Sequence, residues 1–285
     1  MTRLHLLTAA AVLLLTACGG GNQDSAVVAP NVPTAPATPS APSAQILDVF
    51  FGLDNALPAA GNLLCGAIVA GMDGIPVTFS RRIAVDNPDV SAFRITTQSG
   101  ATHTPRCATL RPALGASERH TVLLVGELGS DRDPPVRLDI VGSVPLLSGG
   151  DARGLSSSRI TALAPGPELR IGYRYTPGEL PGSSCPQLTR QIVQITWAGG
   201  VTAPGGGELG DAARTRMRVK LSDGVEVTPV ALADLGDNDN YTQLCLDTQT
   251  PAESVTVEAG VAVDPRGDAN PLTSIRITAD PEALR

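Results

Sequence analysis

Proton-transfer chemistry has few places to reside in this chain. Of its three histidines, His5 falls in the expected signal segment and would leave with it, so His103 and His120 remain as candidates for a histidine general base. Neither sits beside a nucleophile, and no Gly-x-Ser-x-Gly elbow occurs. Asp54-Asn55 and Asp131-Asp133 supply carboxylates of the kind that act in pairs on glycosidic bonds. A sugar site also wants aromatic platforms, and Phe, Trp and Tyr make up only 3% of the residues. Trp197, the sole tryptophan, alternates with Val193 and Ile195 and reads as a core side chain. No residue is assigned as catalytic, and the chain is not expected to be an enzyme.

The richest ligand pattern is Asp234-Leu235-Gly236-Asp237-Asn238-Asp239-Asn240. Calcium takes six to eight hard oxygens, and Asp234, Asp237 and Asp239 head the donors available here. The EF-hand spacing and its closing glutamate are missing, and Asp and Asn are also ordinary turn formers. The stretch reads first as an acidic turn and second as a calcium site; no other cofactor is implied. Arg266-Gly267-Asp268 spells an integrin tripeptide, but three residues in an expected turn carry no weight.

Period-two alternation supplies the elements that must position these residues. Met217, Val219 and Leu221 alternate with Arg216, Arg218 and Lys220. Val193, Ile195 and Trp197 alternate with Ile192, Gln194 and Thr196, and Val255 and Val257 with Ser254 and Thr256. Each pattern predicts a strand with one dry and one wet face. Clusters of Gly, Pro, Asn and Asp punctuate the runs at short intervals, as in a sandwich or barrel.

The chain also repeats itself. Phe93–Pro105 aligns without a gap on Met217–Pro229, sharing Arg, Gly, Thr and Pro at 94/218, 100/224, 104/228 and 105/229. Leu57-Pro58 precedes Cys65 as Leu180-Pro181 precedes Cys185, and the acidic turns at 131–134 and 264–271 are taken as counterparts. Four body cysteines allow three pairings. The repeat selects Cys65 with Cys107 and Cys185 with Cys245, one bridge per copy. In an oxidising compartment each would stabilise its copy by about 4 kcal/mol. No CxxC pair or histidine cluster supports zinc instead. On this alignment Val230–Leu244 is an insertion peculiar to the second copy, which makes Asp237, Asn238, Asp239, Asn240 and Tyr241 the expected binding loop.

A formal net charge of −7 provides no basic stripe for phosphates and argues against nucleic acid. At the start of the chain, Arg3 precedes an apolar run from Leu6 to Leu15, of signal-peptide length and too short for a spanning helix. Leu15-Thr16-Ala17-Cys18 resembles the bacterial lipobox. That resemblance implies cleavage before Cys18, acylation of Cys18 and anchoring to a membrane by several chains. Gly19 is not the aspartate associated with inner-membrane retention, so outer-membrane sorting is expected, facing periplasm or surface. Pro30, Pro33, Pro36, Pro39 and Pro42 recur every three residues, the period of polyproline II. This predicts a semi-rigid spacer.

Pro76-Val77-Thr78-Phe79-Ser80, followed by Ser91-Ala92-Phe93-Arg94-Ile95-Thr96, resembles bacterial Ig-like domains, where a strand ending in Phe-Ser leads to a Phe-x-(Val/Ile)-Thr strand. Asp264–Leu272 is similar to their closing Asp-x-x-Gly-Asn-Pro-Leu turn, with residues inserted. The opening Phe51–Pro58 is similar to uncharacterised lipoprotein-like bacterial sequences. Such domains serve as spacers, adhesion modules or appendages of surface enzymes.

The expected organisation is all-β: a signal peptide at 1–17, a lipidated Cys18 and Pro-rich linker over 18–44, and two tandem Ig-like β-sandwich domains at 45–146 and 168–285, joined by a connector at 147–167. The expected function is a non-catalytic envelope lipoprotein that binds an envelope protein or glycan or serves a structural or adhesive role. The rival is a hydrolase, or its accessory domain, acting on envelope polysaccharide or peptidoglycan.

Overall fold

Apolar residues at every second position suit a pleated strand, whose side chains point alternately to opposite faces. The computed structural model describes residues 44–237 and 239–283, and among these the body is all-β, with helices no longer than about one turn. The signal, Cys18 and most of the proline-rich stretch lie outside the described residues.

The first half runs through β1 (Ile46–Val49), α1 (Gly61–Cys65), β2 (Asp73–Phe79), β3 (Phe93–Thr97), β4 (Thr102–His103), β5 (Cys107–Thr109), β6 (Thr121–Gly126), β7 (Pro135–Ile140) and β8 (Ser156–Ser157). The second runs through β9 (Leu169–Tyr175), β10 (Gln191–Trp197), α2 (Asp211–Arg214), β11 (Met217–Leu221), β12 (Glu226–Val227), β13 (Ala231–Ala233), β14 (Tyr241–Leu246), β15 (Ala252–Val257), β16 (Thr273–Arg276) and β17 (Thr278–Ala279).

The first half forms sheets β1-β2-β6-β5 and β4-β3-β7-β8. The second repeats that order as β9-β10-β14-β13 and β12-β11-β15-β16, with β17 added in parallel beside β9. The gapless repeat occupies the same place in each: β3 turns into β4, and β11 into β12. Gly100 and Gly224 take φ +88° and +86° at the matching turn position, a conformation that costs glycine little because it lacks a Cβ.

Each half has its own interior. Ile75, Val77 and Phe79 of β2 meet Phe93 and Ile95 of β3 and Leu138 and Ile140 of β7. In the second half Val193, Ile195 and Trp197 of β10 meet Met217 and Val219 of β11 and Val255 and Val257 of β15. Trp197 is a core residue, with its indole nitrogen donating to Thr242 Oγ1 at 3.4 Å.

Three features differ from the sequence reading. Residues 147–167, expected as a connector, carry β8, and Leu155, Ile160 and Leu163 pack on the first core. The turn at 131–134 joins β6 to β7, so its counterpart is 247–251 and not 264–271; Gln98 N donates to Pro134 O as Ser222 N does to Pro251 O. Val230–Leu244 is not an insertion. Cys107 pairs with Val125 across β5 and β6, and Ala231 pairs with Cys245 across β13 and β14. Cys245 therefore occupies the register of Val125, and the bridging cysteine has moved to the neighbouring strand. Cys65–Cys107 and Cys185–Cys245 are bonded, with Cα separations of 5.7 Å in both.

The wet faces expected for the central strands are also dry. Every residue of β2, β10 and β14 is buried. Thr121 and His120 bond to Asn240 and Tyr241, and Ser117 bonds to Gln194, so the outer face of β2-β6 packs on the outer face of β10-β14. The two sandwiches are stacked within one compact unit. Buried Arg82 strengthens the seam, reaching Asp280 and the backbone carbonyl of Glu282 in the segment that follows β17 of the second half.

Candidate functional site

A cleft of about 440 Å³ opens along the seam between the sandwiches. Its first-half wall is apolar: Phe50 at the end of β1, Leu53 and Leu57 beyond it, and Leu123 on the outer face of β6. Gly199, Gly200 and Val201, just after β10, form part of the second wall. A Cβ on Gly199 would stand 3.1 Å from Pro76 Cγ and 3.2 Å from Phe50 Cδ1, so a larger residue there would fill the opening.

The loop between β1 and β2 is fixed locally before it can serve as a wall. Asn62 Oδ1 accepts from Val69 N at 2.8 Å and Ala70 N at 2.9 Å. Asp73 accepts from the backbone of Asn55 and Leu128 at 2.8 and 2.6 Å. The Cys65–Cys107 bridge sits on a small cluster of Leu53, Leu57, Val69 and Val125. Leu64 of α1 faces the cleft, while its neighbours Leu63 and Ile68 are 85% and 78% exposed.

The polar margin comes from the acidic segment picked out in the sequence. Asp237, Asp239 and Asn240 line the cleft. Asn240 Nδ2 donates to Thr121 Oγ1 at 2.9 Å and to Trp197 O at 3.0 Å. Tyr241 OH accepts from His120 N at 3.0 Å. Asp239, Asn240 and Tyr241 are therefore buried seam residues and not the free binding loop expected; Asn238 lies outside the described residues. Asp237 remains exposed.

Acids gather here. Asp239 Oδ1 accepts from Tyr241 N at 2.7 Å, while Oδ2 is buried with no hydrogen-bond partner. Burial, reinforced by Asp237, Asp234 and Glu118, pushes the Asp239 carboxyl up to about 9. Burial and then Asp234 push Glu118 to about 7, and burial and then Asp237 push Asp234 to about 6. Glu118 and Asp234 line a second, smaller space of about 220 Å³. Asp234, Asp237 and Asp239 thus divide between two spaces, and among the described residues no three acidic, histidine or cysteine groups assemble as a metal-holding set.

The other candidates have structural duties. His120 is buried, its Nδ1 lying 3.0 Å from Phe79 O, and burial lowers its pKa to about 4. His103 is half-buried on β4, opposite Ile95. Asp54 accepts from the backbone N of Asp131 at 2.8 Å, and Asp133 turns away to Thr97 and Ser99. Both arrangements close turns.

The cleft wall was not found from the sequence. Its signals were the unalternated apolar run Phe50-Phe51-Gly52-Leu53 and the Gly199-Gly200 pair directly after a strand. What fold and site define is an all-β protein of two stacked sandwiches with an apolar opening at their seam. No protein-family profile matches the chain, and no curated protein matches it.

Proposed function

We propose that the chain is a non-catalytic envelope lipoprotein and that the seam cleft is its binding site, receiving the apolar part of an envelope ligand. In this reading acylated Cys18 anchors it, with outer-membrane sorting, and the proline-rich segment raises two Ig-like domains off the membrane. The strand orders β1-β2-β6-β5 and β4-β3-β7-β8 support the Ig-like assignment. They follow the A-B-E-D pattern of that fold's first sheet and extend its C-F-G sheet by one strand.

The observation that carries the reading is the cleft itself. Its volume of about 440 Å³ falls in the range of small-molecule sites, and a mainly apolar wall carries a few polar groups, among them the buried Asp239 carboxyl of raised pKa. The test is titration with N-phenyl-1-naphthylamine, an uncharged dye that brightens in apolar surroundings. We expect saturable one-site binding that Gly199→Leu and Leu64→Arg both weaken. Absence of saturable binding, or binding as tight in both variants as in the parent, would remove the proposal. For the anchor, mass spectrometry of protein taken from membranes should find an acylated N-terminal Cys18. An unmodified cysteine, or cleavage elsewhere, would end that part of it.

A further inference from the structure

We propose that the cleft selects an amphiphilic cation: a single apolar chain lying against Phe50, Leu53, Leu57 and Leu123, ending in a positively charged nitrogen held by the carboxyl groups of Asp237 and Asp239. The inference rests on the cleft being a binding site and adds the chemistry of what fills it.

Size gives the first argument. At about 30 Å³ per water-sized group, 440 Å³ holds roughly fifteen such groups, enough for one chain of about ten carbons and too little for two long ones. The sign of the charge comes from the acids. Outside the group formed by Glu118, Asp234, Asp237 and Asp239, buried carboxylates are answered by a cation or by backbone donors. Asp280 meets Arg82, Asp48 meets Arg170, and Asp73 accepts three N–H groups. Asp239 accepts one backbone N–H, and the charged groups acting most strongly on it are Asp237, Asp234 and Glu118, all acids. A ligand nitrogen would supply the missing positive charge.

Arg111 also lines the cleft and would favour the opposite ligand. Arg111 and Asp237 are both exposed and offset each other at the margin, whereas Asp239 is 6% exposed, and charge acts more strongly where water is excluded. Near neutral pH the Asp239 carboxyl keeps its proton. Capture of the cation then displaces that proton to solvent, so affinity should rise with pH while the ligand amine, of pKa near 10, stays charged.

The experiment is displacement of N-phenyl-1-naphthylamine from the full chain by decylammonium, decanol and decanoate, each below its micellar concentration. We expect decylammonium to bind about tenfold more tightly than decanol, with decanoate weakest. The decylammonium advantage should grow from pH 7 to pH 9 and vanish in Asp239→Asn. Should that variant not fold, Asp237→Asn at the exposed margin should still reduce the advantage several-fold. Equal displacement by all three, or preference for decanoate, overturns the charge assignment while leaving the cleft as a binding site. Failure of the dye to bind removes the site and this inference with it.

Discussion

Asp280→Ala would test what holds the two sandwiches together. Arg82 is 1% exposed, and its guanidinium donates to the Asp280 carboxylate, to Glu282 O at 2.6 Å and to Tyr175 OH at 3.4 Å. Tyr175 OH in turn donates to Asp280 at 2.7 Å, so one carboxylate answers both groups. Alanine leaves the guanidinium buried with two uncharged acceptors, Glu282 O and Tyr175 OH, in place of its carboxylate. Breaking a buried pair from one side costs roughly 3–5 kcal/mol, because the surviving charge can regain neither partner nor water. For a body of this size each kcal/mol moves the midpoint by about 2–4 °C, so Tm should fall by roughly 6–20 °C. Thermal and urea unfolding followed by circular dichroism would measure it. Arg82→Met combined with Asp280→Leu should recover most of the loss, since both charges leave together. A single variant within about 1 kcal/mol of the parent, or a double variant no more stable than the single, would refute the clamp.

Stability should fall as pH rises from about 4, through the unfolded carboxyl range, to about 9. Asp234, Glu118 and Asp239 have raised folded pKa values, so their stabilisation is complete below the unfolded carboxyl range and is lost as pH rises through about 6, 7 and 9 respectively. The slope should be on the order of 1 kcal/mol per pH unit above neutrality, and Asp239→Asn should flatten it; a flat parent profile contradicts the buried acids. His120 works in the other direction: its depressed pKa makes its contribution complete above about 6.5 and lost as pH falls through about 4. His120→Gln should therefore remove part of the acid sensitivity in urea midpoints below pH 6. Reduction of either disulfide should cost about 4 kcal/mol, given loops of 42 and 60 residues. Non-reducing peptide maps must show 65–107 and 185–245; a linkage between the halves would overturn the topology. Trp197→Ala should cost about 3–5 kcal/mol through a cavity in the second core, and a loss below 1 kcal/mol would mean that the indole is not packed there.

Much of the architecture could be read from short-range pattern. Phe93–Pro105 and Met217–Pro229 form matching strand pairs because alternation and a glycine turn are local properties. Cys107 and Cys245 look equivalent in the sequence but stand on β5 and on β14, so matching one to the other makes Val230–Leu244 look like an insertion. A disulfide needs only suitable separation and direction, and an adjacent strand supplies both. The acidic segment was visible as chemistry, but its burial was not. Asn240 belongs to a residue class usually found outside, and the opposing Thr121 explains its enclosure.

Alternation in the sequence by itself determined that this body is built of strands, and the repeat marked two related halves; both follow from geometry within a few residues. The stacking of those halves, the drying of faces that carry Thr78, Gln194 and Thr196, and the cleft left beside Gly199 were decided only in the tertiary structure. A polar side chain on a strand is equally at home against water or against a partner that satisfies its hydrogen bonds, and which of the two it meets depends on residues more than a hundred positions away, as Asn240 and Thr121 demonstrate.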